Sequence, residues 1–203
     1  MNVVCLDLEG VLVPEIWIEF AKKTGIEELK LTTRDISDYD VLMKKRIAIL
    51  KENGLKLKDI QNVIAGMRPL EGAAEFAAAV RNETQLIILS DTFTQFAAPL
   101  MKQLNFPTIF CNELITDENG TVTDYRLRIK DGKRRSVQAL QSVNFSVLAA
   151  GDSYNDLSMI QTADAGAFFR PPQSIAAENP NIPVFTEYKE FLTFIRNFLS
   201  ELK

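Results

Sequence analysis

Apolar and polar positions fall into two rhythms along these 203 residues. Four short runs are almost continuously apolar: "VVCLD" (3–7), "QLIILS" (85–90), "TIFCN" (108–112) and "SVLAAGD" (146–152). Runs of that length, closed by small or polar residues, predict buried strands. Between most of them apolar positions recur three and four apart, in "EGAAEFAAAVRN" (71–82), "TQFAAPLMKQLN" (94–105) and "KRRSVQALQSV" (133–143). That period predicts helices with one buried face, and "YKEFLTFIRNFLSELK" (188–203) predicts a closing amphipathic helix. Strands alternating with helices imply an α/β fold, a mostly parallel sheet flanked by helices, with ligands at the carboxyl ends of the strands.

Two stretches break the alternation. Residues 14–69 hold three helical patterns, "EIWIEFAKKTG", "DYDVLMKKRIAILKENG" and "KLKDIQNVIAGM", each ending at or near a glycine. They read as a small helical cap closed by Pro69, leaving 1–13 and 70–203 as the core. Residues 114–129, "LITDENGTVTDYRLRI", alternate and carry Asn119-Gly120, which predicts a β-hairpin insertion.

Composition narrows the chemistry. A 46% hydrophobic and 25% charged chain with net charge −4 is that of an ordinary globular protein, with no electrostatic reason to expect nucleic acid or an anionic membrane. No apolar run has the length of a membrane span, and the N-terminus has no basic region or cleavage site, so a cytoplasmic location is expected. The two cysteines, Cys5 and Cys111, read as small buried hydrophobes. There are no histidines. Catalysis by Ser-His-Asp, Cys-His or a His base, and His-ligated zinc, are therefore excluded.

What remains is carboxylates, hydroxyls and lysine, and these gather at strand ends. The first strand closes in Asp7-Leu8-Glu9-Gly10, the second in Ser90-Asp91-Thr92, and the fourth in Gly151-Asp152-Ser153-Tyr154-Asn155-Asp156, with Lys133 opening a helix between them. Carboxylates crowded at one sheet edge need a cation, and oxygen ligation suits Mg²⁺. A hydroxyl and a lysine beside them suit phosphate oxygens, and an aspartate can attack phosphorus. Read singly, Asp7 fits a strand-end cap and Gly151-Asp152 an ordinary turn; it is the ordered set that points to metal-assisted phosphoryl transfer. By position alone, Glu15 is an acid at a helix start, Arg46 a solvated helix residue, and Trp17 a core side chain.

"DLEGVLV", "ILSDT", Lys133 and "GDSYND" match in order and spacing the four motifs of the haloacid dehalogenase superfamily phosphatases. The 14–69 insert resembles that superfamily's C1 cap. "VPE", "MKKRIAIL" and "RPLEGA" resemble the phosphoserine phosphatases, and Asp-Leu-Glu resembles the ThrH-type phosphoserine phosphatase/homoserine phosphotransferases. The resemblance implies Asp7 as nucleophile forming an aspartyl-phosphate, and Glu9 as general acid/base with its carbonyl on the metal. It implies Ser90 and the Asp91 amide as phosphoryl contacts, Lys133 as charge stabiliser, Asp7 and Asp152 as direct Mg²⁺ ligands, Asp156 as their outer support, and Asn155 near the phosphate. Glu15 would meet a substrate ammonium and Arg46 a carboxylate. Most phosphatases of the superfamily carry Asp where this chain has Glu9, one methylene longer, which moves the proton donor.

The expected partners are small molecules: phosphoserine, with homoserine as a second phosphoryl acceptor. Another small phosphate ester, or a non-catalytic phosphoamino-acid binder, are the alternatives, though a pure binder has no need of the nucleophile. Monomer and homodimer both remain open. Dinucleotide chemistry is disfavoured because the first strand leads into Asp-Leu-Glu-Gly, not a Gly-x-Gly-x-x-Gly turn.

Overall fold

The computed structural model describes residues 1–33, 35–36 and 38–201. The chain opens with β1 (Asn2–Leu6), then α1 (Ile16–Thr24), a 3-10 turn (Glu27–Lys30), α2 (Tyr39–Glu52), α3 (Leu57–Gly66) and α4 (Ala73–Glu83). It continues through β2 (Gln85–Phe93), α5 (Thr94–Gln103), β3 (Thr108–Thr116), β4 (Val122–Arg126), α6 (Gly132–Ser142) and β5 (Ser146–Gly151). After a second 3-10 turn (Tyr154–Asp156) come α7 (Leu157–Thr162), β6 (Ala165–Phe169), α8 (Gln173–Glu178), β7 (Val184–Phe185) and α9 (Tyr188–Glu201).

The strands form one sheet in the order β4-β3-β2-β1-β5-β6-β7, parallel except for β4. β1 lies in the middle and is covered on both faces, which is why its sequence is continuously apolar. Val3 and Cys5 pack with Val137, Met159 and Ile175 of α6, α7 and α8. Val4 and Leu6 belong to the opposite cluster, with Phe76, Leu100 and Phe191 of α4, α5 and α9. The aromatic rings of Phe76, Phe169, Tyr188 and Phe191 stack between α4, β6 and α9. From that stack the Tyr188 hydroxyl donates to the Val11 carbonyl at 2.6 Å. Among the described residues no helix is long and apolar enough to cross a membrane.

The helices between β1 and α4 form where their end signals allow. α1 stops at Gly25, whose φ of 74° lets its N–H reach the Ala21 carbonyl. α2 starts at Asp38, whose carboxylate accepts from the Asp40 and Val41 amides. Their buried residues Phe20, Met43, Ile60 and Ile64 join the same apolar cluster as Phe93, Phe96 and Leu100, so this segment shares a core with one face of the sheet. It also bonds directly to its neighbours: Gln61 donates to the Gln95 carbonyl (3.0 Å) and the Leu57 amide to the Gly120 carbonyl (3.0 Å).

Several elements differ from expectation. The hairpin is not a separate insertion at 114–129, because β3 runs unbroken from its parallel pairing with β2 into its antiparallel pairing with β4. Asn119-Gly120 is not a two-residue turn. It lies in a longer loop in which the Asp117 carboxylate accepts from the Asn119 and Thr121 amides. The sequence pattern does not predict β6, β7, α7 or α8: "AGAFF" begins with small residues of low strand propensity and the other three are very short. Cys5 is buried as expected, but Cys111 is only half-buried. The last two residues of the helix expected at 188–203 lie outside the described residues.

Candidate active site

β1 sits between β2 and β5: the chain builds outward through β2, β3 and β4, then returns to β5 on the other side of β1, and a crevice opens at the carboxyl ends where the order switches. Asp7 follows β1 directly. Its amide extends the ladder to the Ala150 carbonyl (3.0 Å), and its carboxylate accepts from the Leu8 amide (2.8 Å). Asp152 and Asp156 follow β5. Two glycines make room for them. A Cβ on Gly10 would fall 2.5 Å from the Asp152 carboxylate, and φ at Gly10 is 78°; a Cβ on Gly151 would fall 2.1 Å from Asp156 Cγ. Lys133, in the first turn of α6, places Nζ 2.6 Å from Asp156, 3.0 Å from Asp7 and 3.7 Å from Asp91.

Carboxylate oxygens of Asp7, Asp152 and Asp156 lie within 4.8 Å of one another, all buried. Burial, reinforced by Asp156, holds the Asp7 carboxyl well above the usual carboxylate range against the pull of Lys133. Burial works against the Lys133 ammonium too, but Asp156, Asp7 and Asp91 overcome it and hold its pKa well above normal. One ammonium among these acids leaves an excess of negative charge, and the oxygen donors fit a hard divalent cation. Asp156 has little left to give one. One oxygen takes Lys133, and the other accepts from the Asp152 and Ser153 amides at 3.0 Å and the Ser153 hydroxyl at 3.2 Å. Of the three, Asp7 and Asp152 are the candidates for direct ligation of a cation.

On the other side of β1, β2 leaves its ladder. Between the pairs Leu89–Phe110 and Phe93–Asn112, three residues of β2 face one of β3. This bulge carries Ser90, Asp91 and Thr92 to the crevice. The Ser90 hydroxyl accepts from the Thr92 amide (3.2 Å), and the Asp91 carboxylate accepts from the Asn155 amide group (2.9 Å).

The extra methylene of Glu9 has a visible use. Its carboxylate reaches the first amide of α1, at Ile16, at 2.8 Å. Burial and the nearby Glu15 raise its pKa to about 7, partly offset by the Ile16 amide and by Arg46.

The far wall comes from α1 and α2. Arg46 is 7% exposed, with its guanidinium 4.6 Å from the Trp17 ring centre and one nitrogen donating to the Leu31 carbonyl (2.8 Å). Burial lowers its pKa to about 10, so it remains a cation at neutral pH. Asp7, Glu9, Glu15, Arg46, Ser90, Asp91, Lys133, Asp152 and Asn155 all line this one cavity, with Asp156 behind it. The solvated position read for Arg46 from its helix pattern is therefore corrected, since it is buried over an aromatic ring. Trp17 is in the core but also walls the cavity. Sequence reasoning gave no role to Thr92 or Tyr39, which line it too. Thr92 was visible beside Ser90-Asp91, whereas Tyr39 had no local signal. Among the described residues Arg46 Nε and Thr92 Oγ1 are buried without hydrogen-bond partners, and both belong to this cavity. Buried polar atoms of this kind call for a partner such as water, an ion or a polar group of a ligand.

A model of the haloacid dehalogenase-like hydrolases matches residues 13–161. A phosphoserine phosphatase of Pseudomonas syringae pv. tomato is 57% identical over 190 residues, 94% of this chain and 80% of that one. Phosphoserine phosphatase ThrH of Pseudomonas aeruginosa is 56% identical over 190 residues, 94% of this chain and 93% of its own length. The crystal structure of a phosphoserine phosphatase in apo form superposes with a TM-score of 0.78 at 22% identity, covering 95% of this chain and 98% of the other. At that identity the likeness is one of fold.

Proposed function

The chain belongs to the haloacid dehalogenase-like hydrolases, and from that premise we propose that it is a phosphoserine phosphatase, converting O-phospho-L-serine and water to L-serine and phosphate. One observation carries the substrate: the cavity that holds Asp7 and Lys133 also holds Glu15 and a buried Arg46 with an unpartnered Nε. A phosphate, an ammonium and a carboxylate thus each find an opposite charge.

In the proposed mechanism an Asp7 oxygen attacks phosphorus. The bond from phosphorus to the serine oxygen breaks, and Glu9, carrying a proton near neutral pH, gives it to that leaving oxygen. Ser90 and Lys133 hold the phosphoryl oxygens. In the second half Glu9 takes a proton from water, whose oxygen attacks the aspartyl-phosphate and releases phosphate and free Asp7. Homoserine has the same ammonium and carboxylate as serine, so its hydroxyl replaces water at this step, and the product is then phosphohomoserine. Asp7, Asp152 and the Glu9 carbonyl would hold Mg²⁺, which when bound offsets charge building on the phosphoryl oxygens. Residues 14–69 act as a cap selecting the amino acid, and a cytoplasmic setting suits these metabolites.

The test is phosphate release from phosphoserine with Mg²⁺, with and without homoserine, followed by product identification. Saturable release that EDTA abolishes is expected. Equal turnover of phosphate esters lacking the amino acid would overturn the substrate.

A further inference from the structure

Tyr39, the first residue of α2, belongs to none of the four motifs, yet its hydroxyl donates to the Asp91 carbonyl at 3.0 Å. That carbonyl belongs to the peptide joining Asp91 to Thr92. The amide at the other end of the same peptide donates to Ser90 Oγ at 3.2 Å. A hydroxyl that accepts there turns its own proton elsewhere, toward the cavity that Ser90 lines. The carbonyl has one further donor, Asn112 Nδ2 at 3.3 Å, itself fixed by the Arg128 amide on Asn112 Oδ1 (3.0 Å). The peptide is therefore held from the sheet by Asn112 and from α2 by Tyr39. It needs holding because it lies in the bulge, where the β2–β3 ladder is interrupted.

We propose that Tyr39 is a positioning residue of the phosphoryl site, fixing through the Asp91–Thr92 peptide the direction in which Ser90 presents its hydroxyl. A residue of α2 thereby completes a subsite built otherwise from strand ends, and that subsite is formed only while α2 is seated. Two contacts at this end of α2 do not involve Asp91: the Tyr39 and Tyr125 rings meet edge-on at 5.7 Å, which Tyr125→Phe keeps, and the Tyr125 hydroxyl donates to Asp40 at 2.8 Å, an exposed bond that Tyr125→Phe removes. They supply a control.

The proposal rests on reading the cavity as a phosphoryl site, so the probes are p-nitrophenyl phosphate, phosphoserine and orthovanadate, with vanadate binding followed by the fluorescence of the single tryptophan, Trp17. Tyr39→Phe keeps the ring and removes one hydrogen bond, worth roughly a three- to tenfold effect. kcat should fall by that factor for both esters and vanadate binding should weaken alongside, with KM for phosphoserine little changed. Tyr125→Phe should match the parent. In a Ser90→Ala background, adding Tyr39→Phe should cost almost nothing more. Equal losses in both backgrounds, a loss confined to KM for phosphoserine, or an equal defect in Tyr125→Phe would each overturn the role. Failure of phosphoserine alone, with the other two probes behaving as stated, would instead overturn the substrate and leave Tyr39 in place.

Discussion

Removing the Arg46 side chain tests how the cavity selects an amino acid. In the folded protein its guanidinium is already immobile, held over Trp17 at 4.6 Å and by the Leu31 carbonyl at 2.8 Å, so a ligand need not order it. Its pKa near 10 leaves it fully charged at pH 7. A buried, charge-assisted contact of this kind is worth about 1.5–3 kcal/mol. Arg46→Ala should therefore lower kcat/KM for phosphoserine roughly 10- to 150-fold. Hydrolysis of p-nitrophenyl phosphate, which has no carboxylate, should change by less than about threefold, within the scatter of a lost aromatic contact. The assay is initial-rate phosphate release for both esters on one preparation, with a thermal melt to confirm folding. Equal damage to the two substrates in a folded variant would refute the reasoning and make Arg46 part of the phosphoryl machinery or of the frame that holds it.

The other expectations concern the acids. Asp7→Asn keeps shape but loses the attacking charge, so it should fold normally, show no multiple turnover and form no phosphoenzyme; sustained turnover would remove the nucleophile. In the proposed mechanism Glu9 gives its proton to the leaving oxygen, and its pKa is raised to about 7, so kcat/KM should decline as pH rises through that value. Glu9→Gln should lose about 10²–10⁴-fold and flatten that limb. A folded pKa raised above the ordinary one also costs stability once pH passes it, so metal-free Glu9→Gln should melt higher than the parent at pH 8 but not at pH 4. Asp152→Ala should weaken Mg²⁺ binding by calorimetry while the protein stays folded. Asp156→Ala strips Lys133 of its shortest ion pair and the loop of its acceptor, which should cost about 3–5 kcal/mol of stability in chemical denaturation; a larger loss in Asp152→Ala would reverse their roles.

The strand-end groups were legible because a parallel sheet leaves few places for charge: Asp7, Ser90 and Asp152 each close an apolar run, and Lys133 opens a helix whose period is plain. The alternation predicted the layered sheet, but β6 was invisible in Ala165-Gly166-Ala167, where close packing excludes larger residues. A Cβ on Gly166 would fall 2.5 Å from the Ile160 carbonyl. The reach of Glu9 to Ile16 and the seat of Arg46 on Trp17 depend on where α1 and α2 settle, and no short window of sequence contains that. Tyr39 is the extreme case, since its partner Asp91 lies 52 residues away and offers the Tyr39 hydroxyl only its backbone carbonyl.

The hydrogen bond from Tyr188 to Val11 has a temporal meaning. It spans 177 residues, and the stacked rings that orient it come from α4, β6 and α9. During synthesis the loop carrying Asp7 and Glu9 emerges well before Tyr188, the side chain that fastens its far end. A chain stalled before residue 188 holds every acid of the cluster and still lacks that clasp. That loop is thus set late, and unfinished chains should be slow to acquire phosphatase activity even where the sheet has already assembled.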